Sequence, residues 1–176
     1  RLARQDEAEL VVYYSAEQSG DLGPCGCPTR PRGGLARMAA YTAASRAQSP
    51  TVPSLVVNSG QWLEDAVGMD GEPRADMPTL NRWMVQAQVA LGPDALNVSN
   101  HEIAGLAAIG GDARLLPLVS ANVQGPGISE VIVVERAGRR IAITGIAARG
   151  MTLRPTPGYT MTDPYPVAKA LLQRTE

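Results

Sequence analysis

Short aliphatic runs alternate with helix-periodic segments along the first two thirds of the chain, and this alternation limits the fold more than any other feature. Leu10-Val-Val-Tyr-Tyr14 reads as a buried strand. Residues 35–47 read as a helix with Leu35, Met38, Ala39 and Thr42 on one face, and Pro50 lies just past its end. Ser54-Leu-Val-Val-Asn58 is a second strand, followed by a turn at Gly60. Over residues 76–91 helical spacing returns through Met77, Leu80, Met84, Ala87 and Leu91, until Gly92-Pro93 stops it. Residues 95–99 make a third strand, and residues 103–109 a short helix ended by Gly110-Gly111. Strand, helix, strand in this order is the grammar of an α/β fold.

Beyond that point the texture turns to strands, at residues 116–123, 130–136 and 139–146, with Ala137-Gly138 joining the last two as a tight hairpin. Residues 152–166 are rich in proline and threonine and predict an extended surface segment; a helix over residues 163–174 follows. Residues 19–34 shift to Gly, Pro, Cys and Arg, a composition that sustains neither helix nor sheet and predicts a long ordered loop. The expected architecture is a mixed sheet flanked by three or four helices, with residues 1–176 forming one domain.

Composition narrows the chemistry. Sixteen basic residues against 17 acidic ones give a formal charge of −1, too little field to recruit nucleic acid. Mean hydropathy is −0.09, and no apolar run approaches the ~20 residues that span a bilayer, so no transmembrane segment is expected. A single histidine, His101, and two cysteines, Cys25 and Cys27, exclude zinc fingers, c-type haem attachment and sites built on several imidazoles. Phenylalanine is absent, so the core falls to aliphatic residues with Trp62, Trp83 and a few tyrosines as large anchors. Residues 1–9 are polar, so no signal-type segment opens the chain; a first residue that is arginine points to processing or to residues that precede it.

The strand ends carry the specific signal. They read Glu17-Gln18-Ser19-Gly20, Leu22-Gly-Pro-Cys-Gly-Cys27, Gly33-Gly-Leu-Ala-Arg37, Asn58-Ser-Gly-Gln61, Ser99-Asn-His-Glu102 and Ser120-Ala-Asn122. In this order and spacing they resemble the N-terminal half of the calcineurin-like metallophosphoesterases of the 5′-nucleotidase type. The resemblance extends in particular to periplasmic nucleotidase-like proteins with a Pro-Cys-Gly-Cys element after the first strand. In that family the same places read Asp-x-His-Gly, Gly-Gly-Leu-Ala-Arg, Asp-x-Gly-Asp and Gly-Asn-His-Glu, and the resemblance covers about residues 10–172.

The resemblance implies half of a metallophosphoesterase-type sandwich. In the family, two divalent metals orient a hydroxide and clamp a phosphate at these positions. Here Glu17 and Ser19 stand where the first Asp and His ligands would be, and Gln61 where a bridging Asp would be. An amide cannot supply an anionic bridge, and a hydroxyl is a poor substitute for imidazole. Asn100 matches a ligand Asn and His101 the catalytic His; the family's remaining ligands are histidines of the second half, and His101 is the only histidine here. The chain therefore reads as a degenerate, shortened relative: no metal, no cofactor and no catalytic residue is expected, with Glu17, Asn100 and His101 as vestiges.

Other residues have two readings each. A lone imidazole at a strand-to-helix turn is more simply a hydrogen-bonded group than a general acid, and Asn100 reads as the cap of the helix near Ile103. Cys25 and Cys27 form either a redox pair or a disulfide, or a pair of thiols, that only shapes the loop in an oxidising compartment. Gly33-Gly34 with Arg30, Arg32 and Arg37 nearby could cradle an anion, but turning the chain into a helix is the commoner use. Trp62 at a turn, Tyr159 and Tyr165 read as partner contacts, whereas Trp83 at helical spacing reads as core. Half a sandwich would leave a sheet edge or apolar face to be covered, so partner subunits are expected. The leading expectation is a non-catalytic accessory subunit on the periplasmic side of a larger, membrane-associated assembly, such as a respiratory or photosynthetic complex. Thiol–disulfide exchange through Cys25 and Cys27 and a residual one-metal phosphoesterase are the alternatives.

Overall fold

A computed structural model describes residues 9–24, 26–65, 67–68, 72–148 and 155–174. Its elements follow in chain order. β1 (Val11–Ser15), α1 (Leu35–Gln48), β2 (Ser54–Asn58), α2 (Met77–Leu91), β3 (Ala95–Asn97) and α3 (Asn100–Ile109) make up the alternating part. A 3₁₀ turn (Gly110–Leu115) leads into β4 (Leu118–Val119), β5 (Val123–Gln124), β6 (Ile128–Ser129), β7 (Ile132–Arg136), β8 (Arg139–Ile143), β9 (Thr160–Met161) and α4 (Pro164–Arg174).

Five strands form one sheet in the order β1-β2-β3-β4-β6, parallel at every pairing. Antiparallel pairing is segregated into two small ladders, β5 with β9 and the hairpin β7–β8. The α/β class and the flanking helices are as the sequence predicts, and Ala137-Gly138 is indeed the hairpin turn, both at positive φ. The predicted strand over 116–123 divides into β4 and β5, because residues 120–122 turn out of the sheet to bond residue 129, the hairpin's trailing segment and residue 162.

In a parallel pair, residues in register share a face, so Val11, Tyr13 and Ser15 lie beside Ser54, Val56 and Asn58. That face takes α1: the Tyr13 hydroxyl donates to Ser45 Oγ at 2.8 Å and Arg46 Nε to Ser54 Oγ at 2.8 Å. Tyr41 meets Tyr13 edge-on, with ring centroids 6.4 Å apart. The opposite face receives the segment that trails β8. Asn97 Nδ2 donates to Ile146 O at 3.3 Å, and Ala121 N to Gly145 O at 2.8 Å. A side chain at Gly145 would overlap Asn97, so this approach requires glycine.

Two predicted roles are exchanged. Trp62, expected as an exposed contact, is fully buried at 0% exposure, and its indole Nε1 donates to Asn97 O at 3.3 Å. Trp83, expected in the core, is 57% exposed, because α2 buries the stripe Met77, Met84, Val85 and Gln88 and turns Trp83 outward. The core is otherwise aliphatic, with Leu63, Leu96, Val98, Leu106 and Leu118 at its centre. Of the predicted 152–166 segment, residues 155–163 are irregular except for β9, and Pro164 opens α4. Tyr159 lies against Gly125, where any side chain would strike its ring, and it packs on the core rather than facing outward. Burial pushes its phenol above the usual tyrosine range. Among the described residues no helix is long and apolar enough to cross a membrane.

The hairpin β7–β8 is latched to the sheet at the strands' amino end. Arg136 pairs with Asp94 and donates from Nε to Ser54 O at 3.2 Å, while Asp94 Oδ2 accepts from Val56 N at 2.8 Å. Replacing the guanidinium leaves a largely buried carboxylate short of a donor, so Arg136→Met should cost about 1.5–3 kcal/mol in urea unfolding. Arg140→Met, on the hairpin's exposed face, should change stability by under about 0.5 kcal/mol.

Candidate functional site

All the main-sheet strands point the same way, so the loops that leave β1, β2, β3 and β4 emerge at one edge, where ligands of open α/β sheets ordinarily bind. The motifs singled out in the sequence gather there. Two of the loops are zipped together: Glu17 N donates to Gly60 O at 3.2 Å, Ser19 N to Gln61 O at 2.9 Å and Gly20 N to Trp62 O at 3.2 Å.

Backbone conformation marks three of these residues. Glu17, Ser19 and Gln61 have φ of 51°, 45° and 55°, in the left-handed region that side chains other than Gly, Asn and Asp avoid. Each such residue costs on the order of 1–2 kcal/mol. They are the positions where the resemblance places metal-binding Asp and His. The left-handed backbone is therefore found at positions whose side chains are not the ligands that the resemblance places there.

Behind the loops lies a network of neutral amides. Gln18 Oε1 accepts from Gln88 Nε2 at 2.6 Å and from Asn58 Nδ2 at 3.1 Å. Asn58 Nδ2 also donates to Ser15 Oγ at 3.1 Å, and Asn58 Oδ1 accepts from Gly60 N at 2.8 Å. This network joins α2 to the first two loops. Sequence reading missed Gln88 because it lies 70 residues from its partner, on the buried stripe of a helix.

α3 is capped by Ser99, one residue before the Asn100 that the sequence suggested; Asn100 is the first helical residue. Ser99 and Glu102 form a reciprocal capping box, and Glu102 is fully buried. Glu102 Oε2 accepts from Ser99 N at 2.8 Å and Ser99 Oγ at 2.5 Å, and Oε1 accepts from Trp62 N at 2.8 Å. The Ser-x-x-Glu spacing is the signal that would have assigned this cap. His101 turns outward, and its Nδ1 sits 3.3 Å from Asp65 Oδ1.

A groove of about 370 Å³ opens between the β1 loop and the start of α1, lined by Glu17, Gln18, Asp21, Arg32 and Gly33 among others. Asn100 and His101 are not among the residues that line it. Gly34, at φ 85°, packs 2.9 Å from the Gly23 carbonyl carbon as measured to an added Cβ; the Gly33-Gly34 element serves the turn into α1. Cys27 is an exposed, free thiol, and backbone hydrogen bonding from Arg30, then Thr29, holds it below the usual cysteine range. Cys25 lies outside the described residues. Tyr165 is 83% exposed on α4.

No protein-family model and no curated protein matches the chain. Solved structures do. A 5′-nucleotidase precursor from Thermus thermophilus superposes with a TM-score of 0.68 at 21% identity, over 94% of this chain and 34% of its own. The NAD nucleotidase of Haemophilus influenzae gives 0.72 at 18% identity, over 94% of this chain and 32% of its own. The chain shares the fold of the 5′-nucleotidase-like phosphoesterases. A sulfate thiohydrolase from Thermus thermophilus, at 0.70 and 12% identity, has it as well, matching over 95% of this chain and 41% of its own. The chain thus spans about a third of the nucleotidases it matches.

Against the metal pair that the phosphoesterase fold implies, the donors present do not fit. Among the described residues no three His, Cys, Asp or Glu side chains converge closely enough to hold an ion. Both Glu102 oxygens are taken by N–H and O–H donors, and the Gln18 and Asn58 oxygens by N–H donors. If the strain at the three left-handed positions has no ligand to serve, relieving it should be free of functional loss. Ser19→Gly is expected to raise stability by about 0.5–1 kcal/mol, read as a higher urea midpoint at unchanged slope.

Proposed function

We propose that this chain is a non-catalytic accessory subunit, keeping a phosphoesterase fold as a scaffold for contacts within a larger assembly. The observation that carries the reading is that Glu17, Ser19 and Gln61, with left-handed backbone, stand where the resemblance places metal ligands. A chain that does no phosphoryl chemistry has no use for the dications, and a scaffold has use for the loops.

Surface features support a contact role. On β1, Val12 and Tyr14 are 48% and 79% exposed at the end of the sheet, and α4 presents Tyr165 and Leu172 with none of its residues fully buried. Other protein subunits are the partners this reading requires. The periplasmic side, on a membrane-associated complex of respiratory or photosynthetic kind, rests on the resemblance and on the Cys25-Gly-Cys27 element. Native mass measurement after gentle extraction from source membranes, with identification of co-purifying chains, tests it. A stoichiometric large complex is expected; a free monomer of 18.5 kDa defeats the proposal.

A second reading is favoured by one observation, the lowered pKa of exposed Cys27. A thiol so shifted holds more thiolate at pH 7 than an ordinary one. In Cys25→Ser protein, Cys27 should react with iodoacetamide at pH 7 faster than a model peptide thiol, as read by peptide mass mapping. Thiol–disulfide exchange would be lost in Cys27→Ser, whereas the subunit reading expects assembly to survive that change.

A further inference from the structure

The misfit between the fold's metal pair and this chain's donors raises the question of what holds the carboxyl-edge loops in a conformation that costs several left-handed residues. We infer that a neutral amide lock, Gln88–Gln18–Asn58, organises this edge, and that no divalent cation takes part. The inference goes beyond the subunit reading, since an assembled chain could carry a metal and a free one could lack it.

An amide oxygen has two lone pairs, and Gln18 Oε1 receives two N–H groups, from Gln88 at 2.6 Å and Asn58 at 3.1 Å. Asn58 Oδ1 faces Gly60 N at 2.8 Å, and both Asn58 Nδ2 protons are placed, on Ser15 Oγ and Gln18 Oε1. A cation at this cluster would have to displace N–H donors already seated, and the three amides would offer it no negative charge in return. The buried members make the arrangement stiff: Gln88 and Asn58 are 1% and 4% exposed.

The lock also sits where the loops need restraint. Gln18 stands between Glu17 and Ser19, two of the left-handed residues, and Asn58 bonds the glycine that precedes the third, Gln61. Holding Gln18 from α2 on one side and β2 on the other fixes the peptide on either side of it. The backbone ladder from residues 17–20 to residues 60–62 then follows. In a metal enzyme an ion can hold such loops from the front; here the amides hold them from behind.

Thermal unfolding with and without divalent cations decides the matter. A site filled at 1,000 times its Kd would raise Tm by roughly 8 °C or more. Wild-type protein is expected to shift by less than about 2 °C in excess Mn²⁺ or Zn²⁺, and not at all on EDTA treatment. Gln18→Ala, which removes the shared acceptor from a half-buried loop, should lower Tm by about 4 °C or more. It should also speed hydrogen exchange at the Ser19 and Gly20 amides, with neither change reversed by metal. Gln88→Leu should reproduce both effects if it folds. A metal-dependent rise of 8 °C in the wild type, or unchanged amide exchange in Gln18→Ala, overturns the inference. Native mass of the same samples reports separately on the subunit reading.

Discussion

A fully buried carboxylate organises the centre of this molecule. Among the described residues Glu102 pairs with no cation; its oxygens are satisfied by the Trp62 and Ser99 amides and the Ser99 hydroxyl. Removing one partner from such a group costs about 1–3 kcal/mol or more. The arrangement ties the start of α3 to the loop after β2 and fixes Trp62 beneath both. Trp62 then fills the space between Asn97 and the α3 face, contributing roughly 4–6 kcal/mol of apolar burial in a core that has no phenylalanine.

From that anchor the rest of the edge can be understood as a set of polar ties between loops that a parallel sheet releases on one side. Amides do most of this work: Gln18, Asn58 and Gln88 behind β1 and β2, Asn97 between Ser59 and Ile146, and Asn122 between Ala147 and Thr162. Amides offer donors and acceptors without charge, so several can be buried together with no counter-ion. The amide network behind the loops is therefore preorganised without carrying charge of its own.

The alternating elements were legible because hydrophobic periodicity and Gly/Pro breaks are local signals; β2 spans Ser54–Asn58 as read, and α1 and α2 differ by a residue at one end. The left-handed loops could not be read so, since Glu, Ser and Gln carry no preference for that conformation and are held in it by distant hydrogen bonds. Trp62 and Trp83 exchanged roles for a related reason. A turn position suggests exposure only if nothing packs on it, and α2 buries a stripe that begins at Met77 and passes beside Trp83 rather than through it. The motif strings identified which loops meet, whereas the chemistry of the meeting depended on Gln88 and Glu102, whose partners lie 70 and 40 residues away.

Strand β1 leaves the ribosome ahead of its partner β2, which begins some forty residues later, after a long loop and a helix. Until then Val-Val-Tyr-Tyr is an uncharged, β-prone stretch, the kind that nucleates intermolecular cross-β contacts. Glu9 and Glu17 stand just outside it at either end, as gatekeepers do around unavoidable sticky strands. Glu17, in its left-handed backbone at the carboxyl end of β1, thus also sets a negative charge beside that stretch before β2 is available to pair with it.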